Sequence, residues 1–353
     1  MESLRFPLQR LPRDAVLNVI KTMHMVDLMS LALSTKATKA LVVSLKMKAP
    51  RVMLIIEGEP CLRLDFDEDT EMSIDIDQPQ RYMYIEGKPF LEICKPAYVV
   101  ANFWATVQFA SIDAQHFEDT SISVWKKPSF EFQDWIQYFL DLFVGGQINQ
   151  LYFCPTGHRF DIQSLKTAIE KQFPKQHSWI CAEDRCSDEY LNRIYQTFQS
   201  IDFLQMTRRT PHFQKLSLQN YRELKLANFM NGVFEITLDE LLGLNPTVFY
   251  LERPTRIFAK EINRFIKCWM KGAHRRLRYA KFVQKFENYP DEEELVKGTR
   301  YRRAPEDRVL SVSFSENQLI RGGWDIRGKN GRQATVAVSK VRAIWNIEMF
   351  VWD

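Results

Sequence analysis

No stretch of this chain approaches the ~18 to 20 uninterrupted apolar residues that a bilayer span requires. The opening, MESLRFPLQRLPRD, has no long apolar core, so no secretory signal is expected. No Gly-x-x-x-x-Gly-Lys-Ser/Thr occurs, which removes P-loop phosphate chemistry. Gly322, Gly323, Gly328 and Gly331 lie close together but off the spacing of a dinucleotide fingerprint. No serine sits in a nucleophile elbow. The six cysteines are scattered rather than framed, and reduced thiols suit the cytoplasm or nucleus. Cys154, His158, His177, Cys181 and Cys186 include tolerable zinc spacings, but the set matches no familiar zinc module, and CPTGH reads equally as a turn after a strand. The carboxylates Asp65 and Asp67 share a strand face, where a charged, solvated edge is the default over a cation site. No catalytic set, metal site or cofactor is therefore expected.

What is present is ample core. Hydrophobic residues make up 45% and aromatics 13% of 353 residues, enough to bury two or three domains rather than one. The net charge of +4 is mild, but its distribution is uneven. Asp65 to Asp77 is acidic, while residues 260–285 are basic. Lys260, Arg264, Lys267, Lys271, Arg275, Arg276, Arg278 and Lys281 alternate with Phe265, Trp269 and Tyr279, a pattern open to reading as a nucleic-acid stripe. Ile262, Phe265, Ile266, Trp269 and Met270 recur at helical spacing, however. That periodicity turns them inward and leaves the charges in water, where they could also meet an acidic protein.

Three textures follow one another along the chain. Residues 1–50 read as three short helices. Val16, Leu17, Ile20 and Met23 fall on one helical face, Asp27 is placed as the N-cap of a second helix carrying Leu28 and Leu31, and Pro50 ends the group. Residues 51–128 are strand-rich: VMLIIEG, CLRLDFD, MSIDIDQ, RYMYIEG and SISVWKK alternate or are β-branched. AYVVANFWATVQFAS fits strand or helix. Residues 129–353 alternate helix and strand at intervals of about 30 residues, the cadence of a degenerate leucine-rich-repeat-like sheet or of an ordinary α/β layer. Asn330-Gly331 between two strand-like runs predicts a hairpin, and IWNIEMFVWD a final strand. The fold class is α+β.

The opening segment resembles an F-box. Phe6-Pro7-Leu8, Leu11-Pro12, Val16-Leu17, Ile20, Asp27-Leu28, and Leu31 with Leu33-Ser34 fall where that pattern wants them, over about 40 residues. EINRFIKCWMKGAHRRLRYAKF and GWDIRGKNGRQATV are similar to the type 2 F-box-associated domain, a resemblance that extends over residues 151–353. The two occur in the family's order.

The resemblance implies a substrate receptor of a Skp–cullin–F-box ubiquitin ligase, a non-catalytic subunit in protein degradation. The F-box would bind a Skp-family adaptor and, through it, a cullin; the C-terminal domain would bind the protein to be ubiquitylated. By the same resemblance Leu8, Leu11, Pro12, Val16, Leu17, Ile20, Leu28 and Leu31 lie at or beside the adaptor interface, shared with the F-box's own small core. No substrate-binding residue is implied. Met23-His24-Met25 and STKATKALVVSLK depart from the family pattern and point to weakened adaptor affinity. They leave open an adaptor-independent protein-interaction module, beside the nucleic-acid reading of residues 260–285.

Overall fold

The computed structural model describes residues 11–66, 70–75, 98–106, 117–127, 129–173, 179–198, 202–211, 213, 221–227, 234, 236–252, 257–284, 292–306, 308–310, 320–341 and 344–352. The fold is mixed α/β, divided into two compact units, Met1–Pro174 and Lys175–Asp353. The expected limits at residues 50 and 128 both fall inside the first unit. Among the described residues no helix is long and apolar enough to cross a membrane.

In the first unit, helices α1 (Arg13–Lys21), α2 (Met25–Ser34) and α3 (Lys36–Val43) precede strands β1 (Arg51–Ile56), β2 (Cys61–Asp65), β3 (Thr70–Asp75), β4 (Tyr98–Thr106) and β5 (Phe117–Lys126). The strands pair in chain order as an antiparallel meander. Alternation sets the register: Val52 lies opposite Leu64, Leu54 opposite Leu62, and Leu62 and Leu64 opposite Ile74 and Met72. All six are fully buried, so one face of β1–β3 is core. Of the ambiguous AYVVANFWATVQFAS segment, Tyr98–Thr106 is strand, because it pairs with β3 on one side and β5 on the other, and the rest lies outside the described residues. RYMYIEG lies outside the described residues. Helix α4 (Phe132–Leu140), strand β6 (Gln150–Phe153) and helix α5 (Ile162–Ile169) follow, with β6 parallel to β1. Trp125, Phe130, Trp135, Tyr138 and Phe139 form an aromatic cluster around α4, with ring centroids 5.0–6.1 Å apart.

The second unit begins with parallel strands β7 (Trp179–Ala182), β8 (Phe203–Met206), β9 (Glu223–Leu226), β10 (Val248–Glu252) and β11 (Tyr279–Gln284), neighbours in chain order. Helices α6 (Asp188–Thr197), α7 (Leu238–Gly243) and α8 (Ala259–Met270) alternate with them. The cadence is shorter and less even than the sequence suggested, with strands opening at residues 179, 203, 223, 248 and 279. In-line register stacks Ile180, Leu204, Leu224, Phe249 and Ala280 into one buried row. Phe265 of α8 meets Phe282 on that face at 5.5 Å, which marks it as the helix side.

After helix α9 (Glu292–Val296) the sheet continues as an antiparallel addition. Its strands are β12 (Tyr301–Arg303), β15 (Trp324–Arg327), β16 (Gln333–Val341) and β17 (Ile344–Trp352). β17 pairs with β11, β16 with β17, β15 with β16 and β12 with β15. A separate pair, β13 (Val309–Leu310) with β14 (Ile320–Arg321), lies between β12 and β15 in sequence. The expected hairpin at Asn330-Gly331 forms, with Arg327 opposite Gln333, across a loop of residues 328–332. IWNIEMFVWD supplies β17 as expected.

Candidate protein-binding surfaces

The three N-terminal helices are held by local chemistry. Pro12 precedes α1, and Asp14 adds negative charge to its first turn, where the helix dipole favours it. Asp27 is not the N-cap the sequence suggested. The helix starts three residues earlier, after His24, and Asp27 contributes to its first turn instead. The true side-chain cap in this region is Thr35, whose hydroxyl accepts from the Thr38 amide at 3.1 Å while the Thr38 hydroxyl accepts from the Thr35 amide.

Within the first unit, α2 and α3 lean on the sheet and on α4. The Trp125 indole N–H donates to the Ser30 hydroxyl at 2.9 Å, and the Tyr138 hydroxyl to the Ala32 carbonyl at 2.6 Å. Lys39 pairs with Asp141 at 3.0 Å and lies 4.0 Å over the Tyr138 ring. Burial divides the residues assigned to the adaptor interface. Val16, Ile20 and Leu28 are core, at 4%, 0% and 5% exposure. Leu11, Leu17 and Leu31 are half-buried and Pro12 is exposed. Leu8 lies outside the described residues. Val19 and Val43, which the pattern did not single out, are exposed large apolar side chains, at 43% and 40%. Among the described apolar residues of these helices, Pro12, Val19 and Val43 are therefore exposed, and Leu11, Leu17 and Leu31 are partly so.

Among the described residues no group of three or more His, Cys, Asp or Glu side chains is placed to hold a metal ion. Cys154 and His158 belong to the first unit, Cys181 and Cys186 to the second, and His177 lies outside the described residues. The His158 Nδ1–H donates to the Pro155 carbonyl at 2.7 Å. Burial pushes the Cys181 and Cys186 thiols up to about 12, so neither is a nucleophile near neutrality. Asp65 is ion-paired with Arg63 at 2.9 Å, and Arg63 also pairs with Glu71 across the strand; Asp67 lies outside the described residues.

Helix α8 shows which face of the basic run is which. Ile262, Phe265, Ile266 and Trp269 are buried, each worth roughly 1.5–3 kcal/mol. Met270 is half-buried, and Lys260, Arg264 and Lys271 are exposed. Three residues of this region do structural work that periodicity alone does not reveal. Asn263 is buried and donates to the carbonyls of Leu295 and Lys297 at 2.8 and 3.1 Å, tying α8 to the end of α9. His274 is buried, its Nδ1–H donating to the Leu244 carbonyl at 2.8 Å, with its ring 4.5 Å from Phe265. Burial holds its pKa below the ordinary imidazole value. Arg332 donates to the carbonyls of Arg275 and Leu277, fastening the 328–332 loop to the turn after α8.

The opposite face of the parallel ladder carries polar groups among aromatics. Trp179 stacks on Phe203 at 5.0 Å, and Tyr279 contacts both Tyr250 and Phe350. Glu348 is fully buried, accepts from the Tyr279 hydroxyl and lies 3.9 Å from the Lys281 ammonium. Burial raises its pKa. One acidic residue inside the apolar run IWNIEMFVWD was the available signal for it. Burial likewise pushes Glu223 up to about 7.

Residues 212–282 match a family model described as F-box associated. No curated protein and no solved structure matches the chain. The three N-terminal helices lie outside the matched stretch. Within it lie β9, α7, β10, α8 and most of β11, together with Asn263 and His274, so the match falls wholly in the second unit.

Proposed function

We propose that this chain is the target-recognition subunit of a Skp–cullin–F-box ubiquitin ligase. The F-box-associated match at residues 212–282 is the observation that carries the reading. It is supported by the three-helix group at the other end of the chain, which leaves Pro12, Val19 and Val43 exposed and Leu11 half-buried. Helices presenting such a surface favour a partner that buries it. In this reading a Skp-family adaptor covers that surface and links the chain to a cullin, and the second unit holds the target protein. The chain performs no bond chemistry. It raises the effective concentration of a target lysine near the loaded conjugating enzyme in another subunit.

The test is co-purification of the full-length chain with a Skp-family adaptor. Leu11→Ala/Pro12→Ala is the informative variant, because these side chains are half-buried and exposed and their loss leaves the helix core intact. Wild type captures the adaptor, and the double variant captures at least tenfold less while unfolding at an unchanged temperature. Failure of the wild type to capture any Skp-family protein rejects the reading.

A further inference from the structure

Five cationic side chains converge on one recess of the second unit. Lys267 and Lys271 come from the end of α8, Arg300 from the segment between α9 and β12, and Arg327 and Lys329 from the end of β15 and its loop. The recess has a volume of about 640 Å³, and no carboxylate lines it. An adjoining recess of about 610 Å³ shares Thr299, Arg300 and Arg327 and adds Arg302. Its one acidic residue, Asp325, is already engaged by the Arg308 guanidinium and the Thr335 hydroxyl.

The backbone sets part of this convergence. The Lys329 amide donates to the Met270 carbonyl at 2.7 Å, which holds the β15–β16 loop against the end of α8. Lys267 extends over Gly298, its ammonium 3.2 Å from where a Cβ would stand. None of the five cations has an ion pair among the described residues. Elsewhere in the same unit Arg208, Arg209, Lys225, Lys297 and Arg308 each face a carboxylate. Crowding like charges without counter-charge disfavours the fold, and a cleft of one sign concentrates anions.

We infer that this recess binds an acidic peptide segment of the target protein, its charge carried by carboxylates or by phosphorylated hydroxyls. The inference rests on the proposal that the second unit recognises a target. Ammonium and guanidinium groups recognise both oxyanions by charge-assisted hydrogen bonds. The volume suits a few residues rather than an extended strand of nucleic acid. The 640 Å³ recess is also lined by no aromatic ring on which bases would stack.

The experiment is fluorescence anisotropy on the full-length chain with short labelled peptides. One carries six glutamates, a second has phosphoserines in their place, and a third has glutamines; an oligonucleotide of matched charge is the fourth probe. The glutamate or phosphoserine peptide, or both, binds at least tenfold more tightly than the glutamine peptide and weakens as salt rises; the ratio of the two identifies which oxyanion is preferred. Lys271→Glu/Arg327→Glu removes that binding at least tenfold. Lys260→Glu/Arg264→Glu makes the same charge change on exposed positions of α8 outside the recess and leaves binding within twofold. Equal binding of all three peptides, equal loss in both charge-reversed variants, or tighter binding of the oligonucleotide overturns the inference. Adaptor capture is measured on the same variants. A chain that captures adaptor but ignores acidic peptides loses this inference alone, and one that captures no adaptor loses the ligase reading.

Discussion

The side-chain amide of Asn263, buried in α8, donates to the Leu295 carbonyl at 2.8 Å and to the Lys297 carbonyl at 3.1 Å. One residue thereby satisfies two carbonyls at the end of α9, where a helix has no internal donors left. Asn263→Ala strands those carbonyls and is expected to cost about 1–3 kcal/mol. Asn263→Asp is expected to cost more at neutral pH, because a carboxylate then faces two carbonyl oxygens. Guanidinium denaturation midpoints of the two variants check the order. An alanine variant as stable as wild type would mean the tie contributes nothing.

Legibility in the sequence followed periodicity. The strands β1 to β3 were readable because Val52, Leu54, Leu62, Leu64, Met72 and Ile74 alternate with polar residues and fill one face. Helix α8 was readable from its apolar stripe, and the final hairpin from Asn330-Gly331. AYVVANFWATVQFAS was not, since an almost wholly apolar segment has no face to declare; pairing on both edges decided its Tyr98–Thr106 part. Asp27 was misplaced as a cap because acidic residues favour both the N-cap and the first turn. The recess was invisible for another reason. The basic run at 260–285 showed Lys267 and Lys271, but Arg300, Arg327 and Lys329 join them only through the fold. The split of the N-terminal apolar residues into core and surface likewise needed burial, since Val16 and Leu17 read alike in sequence.

His274 supplies a pH prediction. Its folded pKa lies below the unfolded value of 6.5 because burial disfavours the imidazolium. The unfolded chain therefore binds more protons in the window below 6.5. The contribution is present above that pH and is lost as pH falls through the window. The backbone at His274 has φ +50°, a conformation that asparagine also tolerates, and asparagine retains an N–H donor for the Leu244 carbonyl. His274→Asn is thus expected to flatten the fall in thermal midpoint between pH 6.5 and 5 relative to wild type. Glu223, pushed up to about 7, slopes the other way, losing stability as pH rises through 7. The difference between variant and wild type isolates the histidine, and identical pH profiles for the two proteins would exclude its role.

Gly323 and Gly331 both have positive φ, +111° and +80°, yet their surroundings differ. A Cβ at Gly323 would stand 2.5 Å from the Val336 carbonyl oxygen and 3.1 Å from the Thr335 methyl, both in the strand that β15 pairs with. A Cβ at Gly331 would meet nothing within 4 Å. Gly331→Ala therefore carries only the backbone penalty, about 1–2 kcal/mol. Gly323→Ala adds a clash with a ladder carbonyl that cannot retreat without opening the β15–β16 pairing, and about 3 kcal/mol or more is expected. Urea midpoints of the two variants test the order. The larger loss must fall on Gly323, whose φ lies farther from the left-handed α well and whose added methyl alone meets packed neighbours.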